Sequence, residues 1–163
     1  MSAETPPAPS PSVYATVCID HRGNELVEML ASLATLQRVD PGARVHAFVN
    51  EECRAMLDAA PLKYAELDLR VDTSVSEYLA MSDRELNEQG KVVDYYRLLF
   101  TYLRRALAEA GGRGVTYFAP GCMFLRRVAP PDGGASFVGV QGTNNQHEET
   151  GAPRTSFVGD LFH

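Results

Sequence analysis

Val13-Tyr14-Ala15-Thr16-Val17-Cys18-Ile19, followed at once by Asp20-His21-Arg22-Gly23, is the stretch that decides the fold. Seven uncharged residues rich in β-branched and aromatic side chains are what a strand buried on both faces requires. The polar run behind it is a loop, after which Asn24 can cap a helix. Leu26, Met29, Leu30, Leu33 and Leu36 then recur at helical spacing. Asp40-Pro41-Gly42 is a turn, and Arg44 to Val49 (Arg-Val-His-Ala-Phe-Val) is a second strand ending at Asn50. The pattern predicts a helix from Glu51 to about Ala59 with Cys53, Met56 and Leu57 on one face. Leu67, Leu69 and Val71 alternate like a third strand.

This β-α-β-α-β order predicts an α/β fold with a mostly parallel central sheet flanked by helices. Ligands of such sheets bind beyond the carboxyl ends of the strands. That rule singles out Asp20, His21 and Asn50.

Further along, Asp72 to Gly90 is polar, with short helices expected near Val75 to Leu79 and Asp83 to Glu88. The strongest helical period follows, in Val92, Tyr96, Leu99, Phe100, Leu103 and Leu107, and it stops at Gly111-Gly112-Arg113-Gly114. Val115 to Phe118 reads as a strand that resumes at Cys122 to Leu125 after Ala119-Pro120-Gly121. Pro130 to Ala135 is a loop, Ser136 to Gln141 a strand and Gly142 to Pro153 a long polar loop. Thr155 to Phe162 is strand-like.

Composition narrows the function. With 163 residues, 45% of them hydrophobic, the chain can bury one sizeable core. A net charge of −6 argues against a protein that binds nucleic acid by neutralising phosphates. Cys18, Cys53 and Cys122 are widely spaced and odd in number, which argues against a zinc motif or disulfide framework. His147, Glu148 and Glu149 adjoin in a polar loop but lack ligand spacing on a regular element. Met1 to Ser12, rich in Pro, Ala and Ser, reads as a disordered lead-in without the basic and apolar regions of a signal peptide. With no apolar run of membrane-spanning length, the expectation is a soluble cytoplasmic protein with one domain over 13–163. No Gly-x-Gly-x-x-Gly follows the first strand, and there is no Walker loop or Gly-x-Ser-x-Gly elbow.

Tyr95-Tyr96-Arg97-Leu98 opens the strongest helix, and the strand Val115-Thr116-Tyr117-Phe118 with Met123-Phe124-Leu125 follows it. Together with the opening strand and the Ser32-Leu33 pair, this order resembles the GT-A fold glycosyltransferases of the galactosyltransferase and glycogenin type (glycosyltransferase family 8). The resemblance runs from about Val13 to about Gln141. It implies a nucleotide-diphosphate sugar as ligand and sugar transfer to an acceptor as activity. Tyr95, Arg97 and Leu98 match the family's Tyr-x-Arg-Leu helix. Arg97 is then the cation for the pyrophosphate, which a guanidinium binds by charge-assisted hydrogen bonds. Lys91, just before the helix, is placed to assist it. Asp20 is expected to contact the base or ribose, and Asn50 to line the same site.

Two departures from the family matter. Where its Asp-x-Asp holds manganese or magnesium, this chain has Ala119-Pro120-Gly121, which offers no side-chain oxygen. The next acid, Asp132, falls in another loop, and Arg126 and Arg127 come soon after the strand. No metal cofactor is therefore expected unless other residues supply ligands. The family's domain also continues past the matched region, so the chain reads as its N-terminal half, completed by a C-terminal half or a second chain. The alternative is a non-catalytic relic or partner subunit that keeps the fold without the metal site.

Overall fold

A computed structural model describes residues 11–20, 24–75, 83–128, 139–144 and 154–162. Three strands alternate with two helices at the start: β1 (Val13–Cys18), α1 (Asn24–Val39), β2 (Arg44–Val49), α2 (Glu51–Ala59) and β3 (Asp68–Asp72). Then come α3 (Asp83–Glu88), α4 (Val92–Glu109), β4 (Thr116–Phe118), β5 (Gly139–Asn144) and β6 (Arg154–Phe162). All six strands join one sheet in the order β3-β2-β1-β4-β6-β5. β1 pairs in parallel with β2 and with β4, and β2 in parallel with β3. β6 runs antiparallel to both β4 and β5. The expected α/β architecture, mostly parallel and flanked by helices, is what forms.

The strands alternate side chains between two layers. Tyr14 and Cys18 of β1, with Val45, Ala47 and Val49 of β2, pack in one cluster with Leu26, Met29, Leu33 and Leu36 of α1 and Cys53 and Leu57 of α2. Val13, Ala15 and Ile19 share the other cluster with Phe48 of β2, Tyr102 and Ala106 of α4 and Ala110 at the C-cap of that helix. Burial on both faces explains why β1 reads as a continuous apolar run. α4 runs antiparallel to β2: His46 Nδ1 lies 3.4 Å from Glu109 Oε2, while Phe48 meets Tyr102 with ring centroids 5.1 Å apart. The amino-terminal half of α4 therefore stands level with the carboxyl ends of the strands.

At the opposite, amino edge, a polar knot ties distant parts of the chain. Tyr14 Oη donates to Asp40 Oδ2 at 3.1 Å, Arg127 Nε pairs with the same carboxylate at 3.3 Å, and Arg127 also donates to Ser12 Oγ. Arg113 donates to the Pro11 carbonyl at 3.0 Å. Pro11 and Ser12 are thus anchored, although the lead-in was expected to extend through Ser12. Burial first, then Asp40, pushes the Tyr14 phenol up to about 12.

Four sequence expectations need correction. Cys122 to Leu125 is not a strand: the chain leaves β4, turns, and lays Phe124 into the core, 5.7 Å from Tyr14 and 5.2 Å from Phe118 between ring centroids. The polar loop begins later than expected, because Gly142 to Asn144 belong to β5, where backbone pairing with β6 does not depend on apolar side chains. Met56 is exposed, not packed beside Cys53 and Leu57. In α4 the buried residues include Leu99, Tyr102 and Ala106, whereas Tyr96, Phe100 and Leu107 face outward. The expected loop at Pro130 to Ala135, most of the helix near Val75 to Leu79, and His147, Glu148 and Glu149 lie outside the described residues.

Candidate functional site

From β1 the chain steps through β2 to β3 on one side, and β4 then returns to pair on the other side of β1. The carboxyl ends of β1 and β4 form the topological switch point, where open α/β sheets leave a crevice between diverging connections. Asp20 stands just after β1, and Ala119-Pro120-Gly121 just after β4. Asn50 stands just after β2. Three of the positions singled out from sequence are thus brought to one edge. His21 lies outside the described residues.

Asp20 and Asn50 also serve as scaffold. Asp20 Oδ2 accepts the Leu26 N–H at 3.0 Å, capping one of the free donors in the first turn of α1. Asn50 is buried and is the N-cap of α2: its Oδ1 accepts the Cys53 N–H at 3.2 Å, and its Nδ2 donates to Glu52 Oε2 at 2.8 Å. Nδ2 also reaches the Asp20 carbonyl at 3.4 Å, which ties the end of β1 to the start of α2. Cys53 Sγ lies 3.7 Å from the same carbonyl and 3.9 Å from Cys18 Sγ. These are free thiols, and burial pushes both above the ordinary thiol range. Their 35-residue separation hid that proximity from sequence reading.

The turn after β4 rests on α1. The Gly121 N–H donates to Ser32 Oγ at 3.1 Å, and the Phe124 N–H to Thr35 Oγ1 at 3.1 Å. Gly121 has φ +90, a conformation that L side chains rarely adopt, and a Cβ there would stand 3.2 Å from Glu28 Oε2. Glu28 is the residue that sequence reading missed, because nothing local links it to Gly121. It belongs to an acidic group: desolvation first, then the charges of Asp20 and Glu28, push the Glu25 carboxyl upward. Negative charge therefore gathers on the α1 side of the switch point.

The two cations expected at the site are set differently. Lys91 is the N-cap residue of α4 and makes no side-chain cap. Arg97 lies about level with the strand ends but on the outer face of the helix. Its side chain is 75% exposed and Nη1 pairs with Asp94 Oδ1 at 3.4 Å. No contact to Asp20, Asn50 or the 119–121 turn engages its guanidinium in this conformation. Arg127 is committed to Asp40 at the amino edge.

The residues present do not fit the metal that the sequence resemblance implies. Ala119 and Gly121 have no ligand atoms, and among the described residues no three His, Cys, Asp or Glu side chains converge as a ligand set. Asp132 lies outside the described residues. No helix among them is long and apolar enough to cross a membrane. Compared with known protein families, curated proteins and solved structures, the chain matches none.

Proposed function

We propose that this chain is a glycosyltransferase-like protein that holds a nucleotide-diphosphate sugar at the β1/β4 switch point, for transfer of the sugar to an acceptor. The single observation that carries this reading is topological. β4 returns beside β1, so Asp20 and the Ala119-Pro120-Gly121 turn follow adjacent strand ends at the edge where such sheets take nucleotides. Asp20 lines the nucleoside end of the site, and Asn50, whose amide is spent on Cys53, Glu52 and the Asp20 carbonyl, lines the same end by holding that loop in place. Lys91 meets the diphosphate from the start of α4. Arg97 joins it only after its guanidinium leaves Asp94 and turns inward across the helix.

Calorimetry with a panel of nucleotide sugars, with and without manganese, tests the reading. The expected result is weak, salt-sensitive, metal-independent binding of one nucleotide class. Charge-assisted hydrogen bonds add about 1.5–3 kcal/mol each, and ordering costs consume much of that. Arg97→Ala is expected to weaken binding about tenfold or more. No binding by any nucleotide sugar overturns the proposal. A large manganese-dependent gain, lost in Glu28→Gln, would move the cation to Asp20, Glu25 and Glu28. The missing carboxylates at Ala119 and Gly121 favour a second reading, a partner subunit that binds the nucleotide without transferring sugar. Binding without transfer or hydrolysis would select it.

A further inference from the structure

The end of β1 and the start of α2 each bring a buried thiol to one spot. Cys18 and Cys53 are 35 positions apart in sequence, yet their sulfurs lie 3.9 Å from each other in the core. A disulfide needs them only about 2 Å closer. The two thiols are held differently. Cys18 ends β1 in the interior of the sheet, paired with Val49 of β2. Cys53 stands in the first turn of α2, and within that helix only Cys53 and Leu57 are buried. The Asn50 side chain accepts the Cys53 N–H, and Cys53 Sγ donates weakly to the Asp20 carbonyl at 3.7 Å. A helix end anchored by one buried side chain and one cap opens locally without unfolding the rest of a domain. While the turn is closed the pair is inert, because burial holds both thiols above their ordinary range and a thiol reacts as its thiolate. Once the turn opens, Cys53 meets water and regains the ordinary acidity of a thiol.

We propose that Cys18 and Cys53 form a peroxide-responsive dithiol, in which Cys53 is oxidised first as the initial turn of α2 opens and Cys18 then resolves it to a disulfide. The Cys53 thiolate attacks one oxygen of hydrogen peroxide. The O–O bond breaks, the departing hydroxide takes up the thiol's proton as water, and a sulfenic acid remains on Cys53. When the turn closes, Cys18 Sγ attacks the sulfenic sulfur. The S–O bond breaks, and the hydroxyl leaves with the Cys18 proton as a second water. Two thiols are thereby oxidised to one disulfide while one peroxide is reduced to two waters. The bond pins α2 to the end of β1 and removes the S–H that faces the Asp20 carbonyl, so oxidation is felt at the residue that follows β1. Nothing in this chemistry requires a nucleotide.

The test treats the folded full chain with hydrogen peroxide and reads it by intact-mass spectrometry, then by tryptic mapping after alkylation. Trypsin separates the three cysteines into Met1–Arg22, Val45–Arg54 and Gly114–Arg126. The expected product is a chain lighter by two hydrogens in which the first two peptides are joined, and dithiothreitol should reverse it. Cys122→Ser should leave that product unchanged. In urea that unfolds the chain, pairings with Cys122 should appear as well. Cys18→Ala should leave a sulfenic acid on Val45–Arg54 that a cyclic 1,3-dione traps, whereas Cys53→Ala should leave Cys18 unmodified. Asn50→Ala loosens the turn and should speed bond formation about fivefold. The wild-type map decides the matter even if an alanine variant fails to fold. A folded wild-type chain that stays reduced under peroxide overturns the proposal. So does one that joins Cys122 to either thiol instead, or that carries Cys53 to a sulfinic acid without a cross-link. A rate of bond formation that Asn50→Ala leaves unchanged likewise overturns it.

Discussion

Gly121→Ala probes the switch-point turn most directly. The glycine has φ +90, and a Cβ there meets Glu28 Oε2 at 3.2 Å. A left-handed backbone costs an ordinary L residue about 1–2 kcal/mol. The Glu28 contact adds little, because that carboxylate is the exposed end of a flexible side chain. Urea unfolding should show the midpoint falling at constant slope, and the melting temperature should drop by about 2–8 °C. Gly121→Asn should cost less, since asparagine tolerates this region better. Gly121→Asp adds a second carboxylate beside Glu28 and should cost about 1 kcal/mol more at this exposed position. Glu28→Gln in the same chain should recover that extra loss. Introducing the two carboxylates of the glycosyltransferases that the sequence resembles, Ala119→Asp with Gly121→Asp, should create a manganese-dependent rise in melting temperature absent from the wild-type chain. A neutral Gly121→Ala, or a Gly121→Asp that Glu28→Gln does not relieve, would refute the geometry assigned to this turn.

His46 is buried, and desolvation first holds its imidazole below the ordinary histidine range against the opposing pull of Glu109. The unfolded chain then binds more protons below about pH 6.5, so stability is complete above that pH and declines as pH falls through it. His46→Leu should remove this component from the difference between stability curves at pH 7.5 and 5.5; an unchanged difference would contradict it. Tyr14→Phe should cost about 0.5–1.5 kcal/mol in urea unfolding, because Arg127 still satisfies Asp40. A larger loss from Tyr14→Phe than from Asp40→Ala would show that the knot is built otherwise. Asn50→Ala should lose about 1–2 kcal/mol and raise amide exchange at Cys53, whose N–H it caps. Unaltered exchange there would deny the cap.

Local pattern carried most of the fold. β1 and β2 are legible because both their faces are buried, and α1 because one of its faces is. α4 misled because its apolar residues make two stripes, and periodicity does not say which one the sheet takes. Leu99 belongs to the buried stripe, while Tyr96, Phe100 and Leu107 belong to the other. At the candidate site, order alone located Asp20 and Asn50 at the carboxyl edge of the sheet. It could not show that their polar atoms cap α1 and α2, since capping depends on how the chain leaves the strand. Glu28 over Gly121 and Cys18 beside Cys53 are contacts between distant segments and have no local signature.

The placement of β4 also governs how the chain comes into being. β1 occupies the middle of the sheet, yet the partner on its second side is made far later. The ties that close that side, Arg113 to Pro11 and Arg127 to Ser12, span 102 and 115 residues. During synthesis β1 can pair at once with β2 but keeps an open apolar edge until β4 has emerged. Contacts of such separation form slowly, and an unpaired apolar edge invites pairing with other chains. A ribosome-bound chain halted before Thr116 should therefore be the most aggregation-prone stage in its production, and solubility should rise sharply once Phe124 can enter the core beside Tyr14 and Phe118.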